Sequence, residues 1–181
     1  EAQALVAHHA ADGVDLLKTY TNVSVATYGA LAAEASRHGL LVAGHLPVRV
    51  PLGMALAAGQ HSVEHPRIFL FECYRGAARF RALPDPMAAY TADMRLRFID
   101  EHDPVRCAEL MAAMAASDTW WTPTLQVLRM SALAGNQEFR EDPRLRYIPL
   151  IISAGLWGPD ADRAVTDAAH ASGRDVHAEL Y

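Results

Sequence analysis

The chain has 181 residues, 51% hydrophobic and 20% charged, with a formal net charge of −5. This is ordinary for a folded core, and the length suits one domain or part of a larger one. The acidic balance, without a basic run, argues against a nucleic-acid partner, and no apolar stretch approaches the ~20 residues that a bilayer span needs. Cys73 and Cys107 lie far apart with no paired spacing. They suggest neither a disulfide framework nor a cysteine zinc site, so redox compartment and localisation stay open. The sequence opens on Glu1 rather than Met, so the lack of a leader carries no weight and the chain reads as a stretch of a longer protein.

Residues 1–12 are Ala-rich and read as a helix that Gly13 stops, with His8 and His9 as helix-end side chains. Val14 to Tyr20 is a short apolar run of the kind found in buried parallel strands. Thr21 to Ser24 supplies turn and cap chemistry, and a helix follows through Tyr28, Leu31 and Ala35 to Gly39. A second strand runs from Leu40 to Gly44 and ends at His45. Residues 50–58 form a short helix closed by Gly59, and a third strand runs from His61 to Glu64. Pro66 has no N–H to donate, so pairing should stop there.

Residues 67–117 are helical with breaks, the clearest at Pro84-Asp85-Pro86, and form a long insertion that reads as a lid or wall. Met87 to Asp100 and Pro104 to Ala116 are its two later helices. Thr119 to Leu125 is a fourth strand candidate, followed by a helix to Leu133 that Gly135-Asn136 ends. Residues 137–150 read as a polar surface excursion, and residues 159–172 and the C-terminal stretch as helix. The alternation predicts an α/β fold.

Three strand ends carry chemistry: Lys18, His45 and His65. In a parallel α/β barrel such ends lie on one rim, where active sites are built. A lysine is rarely buried without a reason, and a buried one tends to be neutral. A neutral amine can take up carbon dioxide and become an anionic oxygen ligand. Alternation along the third strand places Glu64 on the face opposite His65, where it would hold a helix or loop. His61 shares parity with His65 but sits at the other strand end. Trp120 and Trp121 alternate in and out, so one of them could line a pocket.

The run Asp12-Gly13-Val14-Asp15-Leu16-Leu17-Lys18 resembles the Gly-Ala-Asp-x-Ile-Lys motif of the amidohydrolase superfamily. Val42-Ala43-Gly44-His45 resembles its fifth-strand histidine motif, and Gly59 to His65 its Gly-x-x-Ser-Ile-Glu-His motif. Trp121-Thr122-Pro123-Thr124-Leu125 is similar to its seventh-strand Val-Pro-Thr-Leu. The relatives it most resembles are imidazolonepropionase-like and prolidase-like hydrolases.

The resemblance implies that residues 1–181 are a partial (β/α)8 TIM-type barrel, a catalytic domain lacking the first strands and the eighth. It implies one or two divalent ions, usually zinc, with carboxylated Lys18 bridging and His45 and His65 as ligands. A metal-activated water would cleave an amide C–N bond of a small substrate such as a dipeptide or acylated amino acid, a peptidase-like activity expected of the full-length protein. Tyr20, Leu46 and Thr124, just past the strand ends, are the candidate substrate contacts. The expected partners are a small amide or peptide substrate, with no nucleic acid and no membrane, and self-association as one way to close an incomplete barrel. The first-strand His-x-His pair and the eighth-strand Asp are absent, and Asp160, Asp162, Asp167 and Asp175 do not match the latter's context. The alternative is a non-catalytic α/β scaffold or inactive fragment in which Lys18 and the histidines are structural.

Overall fold

A computed structural model describes residues 1–66, 68–133, 137–155 and 173–180. In chain order the elements are α1 (Ala2–Ala11), β1 (Leu16–Thr19), α2 (Val25–Arg37), β2 (Leu41–Gly44), α3 (Leu52–Ala57) and β3 (Ser62–Glu64). A π-helical turn (Ile68–Glu72) leads to α4 (Ala77–Arg81), α5 (Ala92–Asp100), α6 (Pro104–Ala115) and β4 (Trp120–Thr122). Then come α7 (Leu125–Leu133), α8 (Gln137–Arg140), a 3-10 turn (Pro143–Tyr147), α9 (Leu150–Gly155) and α10 (Val176–Leu180). The chain divides into two compact units, Glu1–Ala89 with Glu101–Pro123 and Tyr90–Asp100 with Thr124–Tyr181.

Local chemistry sets the element ends in the first unit. Ser24 caps α2 by accepting from the Thr27 N–H at 3.1 Å, and Gly39, at φ 68°, turns the chain out. Asp103 caps α6 in the same way from the Arg106 N–H, with Pro104 in the first helical position. One face of the strands packs on the helices. Val42 and Val63 join Tyr28, Ala32, Ala35, Leu52, Ala55 and Met114 in one buried cluster, with Leu17 and Trp121 against it. Within it the Tyr28 hydroxyl donates to Gln60 Oε1 at 2.8 Å, and burial pushes this phenol's pKa up from 10.0 to about 12.

The barrel expectation is overturned. Among the described residues the strands form two separate two-stranded parallel sheets, β1-β2 and β3-β4, each strand three or four residues long. A single His45–Glu64 bridge and the His61 N–H to Val42 C=O bond link them. The molecule is a small α/β protein with mostly helical mass, not a (β/α)8 barrel. Strand–helix alternation specifies parallel pairing of neighbours, and that pairing is present for β1 with β2 and for β3 with β4, not for β2 with β3. It does not specify how far a sheet continues, and after β4 the described chain is helical.

The cysteine expectation is overturned too. Cys73 and Cys107, both buried, form a disulfide across a sequence separation of 34. It joins the two pieces of the first unit beside an antiparallel Tyr74–His102 bridge and the Asp103 N–H to Cys73 C=O bond. Sequence distance gave no hint, because the turn after β3 folds back onto the start of α6. The same turn buries Glu72, whose carboxylate pairs with Arg81 and accepts from the Leu52 N–H, while Arg106 Nε donates to its carbonyl.

Among the described residues of the second unit, Ala92 and Val176 are buried together, with Leu96, Ile99 and Leu180 against them. Arg174 holds it at the surface, pairing with Asp100 at 2.8 Å and with Glu179. Residues 137–150, expected as a polar surface excursion, contain α8 and the 3-10 turn. Asp142 caps that turn, and the Arg144 guanidinium holds its carboxyl down at about 2. The expected helix over 159–172 and the stop at Gly135-Asn136 lie outside the described residues. No helix among the described residues is long and apolar enough to cross a membrane.

Candidate functional site

Lys18, His45, Glu64 and His65 come together at the ends of β1, β2 and β3. Register puts Lys18 opposite Ala43, and the His45–Glu64 bridge puts Glu64 on the far side of β2. The Lys18 side chain passes close to Gly44, where a Cβ would sit 2.9 Å from its Cγ, and the ammonium lies 2.7 Å from the Glu64 carboxylate. That hydrogen bond is the main cause that lowers the Glu64 pKa. The charges of Lys18, His65 and His45 act in the same direction, against a partial desolvation.

His45 is 5% exposed and tightly built in. Its N–H donates to the Thr19 carbonyl at 3.0 Å, and its carbonyl accepts from the Thr19 hydroxyl at 2.8 Å. Gly44, at φ 109°, makes this approach possible: a Cβ there would sit 2.6 Å from the Thr19 carbonyl oxygen. The Thr21 hydroxyl lies 3.0 Å from His45 Nδ1, which makes Nε2 the nitrogen through which this ring would ligate a cation. Tyr20 stacks on the other side, ring centroids 4.3 Å apart.

His65 does not continue the strand. Its φ is 70°, in the left-handed region. The turn brings its imidazole beside His45, edge-on, with centroids 4.6 Å apart. Here the alternation rule misleads. Glu64 keeps its strand position on the site face, and His65 reaches that face by leaving the strand.

The other expected contacts scatter. Tyr20 is 66% exposed and borders the site, whereas Leu46 is 3% exposed and belongs to the core cluster. Thr124, at φ 49°, begins the second stretch of the second unit. His61 bonds through its backbone, its N–H to Val42 and its carbonyl from Trp120. His8 pairs with Asp12 at the exposed end of α1. Sequence reading missed Glu64 and Thr21 as site residues. The signal for Thr21 was its even spacing from Thr19, which carries two hydroxyls toward one turn.

Comparison with protein-family models, curated proteins and solved structures gave no match. The likeness to amidohydrolases therefore rests on the four motifs alone.

The donor set suits a divalent cation in part. Two imidazoles are nitrogen donors of the kind that zinc takes. Among the described residues, no group of three or more His, Cys, Asp or Glu side chains is placed to hold an ion. Lys18 is not a ligand as it stands, since an ammonium has no lone pair to give. Its side chain is 56% exposed, so the burial that the neutral-amine argument needs is absent.

Proposed function

We propose that the protein is a metal-dependent hydrolase of a small amide, and that His45 and His65 are the pair through which it holds its cation. The convergence of these two imidazoles from separate strand ends, 4.6 Å apart, carries the reading. The four sequence motifs support it. A divalent cation held there would supply the Lewis acidity that makes water a nucleophile near neutral pH and polarises a carbonyl.

The chain's own residues then have assignable tasks. Thr21 and Thr19 fix the ring and backbone of His45. Glu64 is a carboxylate at neutral pH and holds the Lys18 ammonium. Lys18 so held presents positive charge at the strand ends, suited to a carboxylate on a dipeptide or acylated amino acid. Its carboxylation would require Glu64 to release it. Tyr20, stacked and exposed, offers the substrate an aromatic edge.

The full-length protein, purified without chelator, is expected to carry zinc-type ions that are lost in His45→Ala and His65→Ala without unfolding. It is expected to hydrolyse members of a dipeptide and N-acyl amino acid panel. A folded, metal-free protein that takes up no zinc would overturn the proposal. One observation favours the scaffold reading instead. Lys18 and Glu64 satisfy each other at 2.7 Å, as a purely structural pair would. A folded parent without bound zinc, together with loss of stability in Lys18→Met, would be that reading's signature.

A further inference from the structure

The left-handed turn at His65 is what brings the two imidazoles together, and a residue with a Cβ does not adopt that turn without support. Both backbone polar groups of His65 are held by β4. Its N–H donates to the Thr122 carbonyl at 2.9 Å. Its carbonyl accepts from the indole Nε1–H of Trp121, also at 2.9 Å. The first bond is available to any residue at 122. The second depends on one side chain. Trp121 is in turn fixed by the core beneath it and by Phe69, whose ring meets it edge-on at 4.7 Å. Trp120, the neighbouring indole, is 70% exposed.

We infer that Trp121 is a positioning residue for the site: its indole N–H holds the His65 carbonyl and so locks the left-handed turn that sets the His65 imidazole against His45. This rests on the proposed cation-holding role of the two histidines for its functional meaning. The geometric part stands without it. Packing alone would use the indole as a large apolar plate, for which the N–H is immaterial. A positioning role makes the N–H the essential atom.

The test compares Trp121→Phe, which keeps an aromatic ring and removes the N–H, with Phe69→Leu, which disturbs the packing and keeps the N–H. Zinc ion alone is titrated into the full-length protein, and the His65 amide, Hα and imidazole signals are followed by NMR. The expected result for Trp121→Phe is a zinc affinity lower by about tenfold, the scale on which supporting contacts tune ligands. The strong intraresidue amide-to-Hα cross-peak of a positive φ should weaken, and the imidazole signals should shift. Phe69→Leu keeps the N–H and the core beneath the indole, and should move all three less than Trp121→Phe does. Equal responses in the two variants, or an unmoved His65 in Trp121→Phe, would overturn the inference. If the parent binds no zinc, the cation reading fails, and the cross-peak still decides the positioning. Should Trp121→Phe not fold, the parent supplies the answer: the Trp121 indole N–H must exchange with water far more slowly than that of Trp120. Equal exchange would contradict the bond.

Discussion

The two faces of the strands in the first unit obey different rules. On one face Val42 and Val63 are buried against α-helices, with Leu17 and Trp121 beside them. On the other, Leu16, Lys18, Leu41 and Trp120 are exposed, and the polar groups find one another rather than a core. The first face holds the fold by removing apolar area from water, which is non-directional and tolerant of detail. The second is organised by a few directed contacts: an ion pair across β2, a threonine on an imidazole and a histidine out of line. Substitutions should therefore separate stability from binding according to the face they fall on.

The largest loss of stability is expected on the packed face. Leu52→Ala removes a fully buried side chain and should cost about 2–5 kcal/mol in denaturant unfolding, with zinc binding retained below the transition. Next comes the tie between the unit's two pieces. Cys107→Ser, or reduction, should cost roughly 2–4 kcal/mol, because the bridge closes a long loop in the unfolded chain.

Tyr28→Phe should be smaller, about 1–3 kcal/mol, since it leaves the buried Gln60 oxygen without its donor. It should also change the alkaline limb. Below pH 10.0 the phenol is protonated in both folded and unfolded chains. Between pH 10.0 and about 12 the unfolded chain ionises first, so the parent loses stability as pH rises through that window. Tyr28→Phe should lack that loss, which thermal unfolding across the range would show.

The smallest stability effect belongs to the open face. Lys18→Met should cost less than about 1 kcal/mol, because the pair is half-exposed and screened by solvent. Its pH signature has the opposite sign to that of Tyr28. The Glu64 carboxyl is lowered in the fold, so the pair's contribution is present above the ordinary carboxylate range and fades as pH falls through the lowered value. Glu64→Gln should flatten that acid limb.

The packed face was legible in the sequence. Short apolar runs alternating with capped helices predicted all four strands and the parallel pairing of β1 with β2 and of β3 with β4, because burial leaves a periodic mark. Sheet extent was not legible, since nothing in the alternation says whether β2 and β3 pair along their length or through one bridge. The Cys73–Cys107 bond was hidden for a related reason: it depends on a fold-back that local pattern does not encode. In the site, Lys18, His45 and His65 were read from strand ends, and His45 and His65 do meet. Glu64 was placed on the wrong face because the rule of two assumes a regular strand, and His65 at φ 70° is not part of one.

The most direct test of the central claim is zinc stoichiometry of the full-length protein, with the His45→Ala and His65→Ala variants measured alongside under conditions where all three are folded. The account predicts bound zinc in the parent and its loss in each variant, because the two rings share one ion. Zinc bound equally by parent and variants, or by none of them, would contradict it.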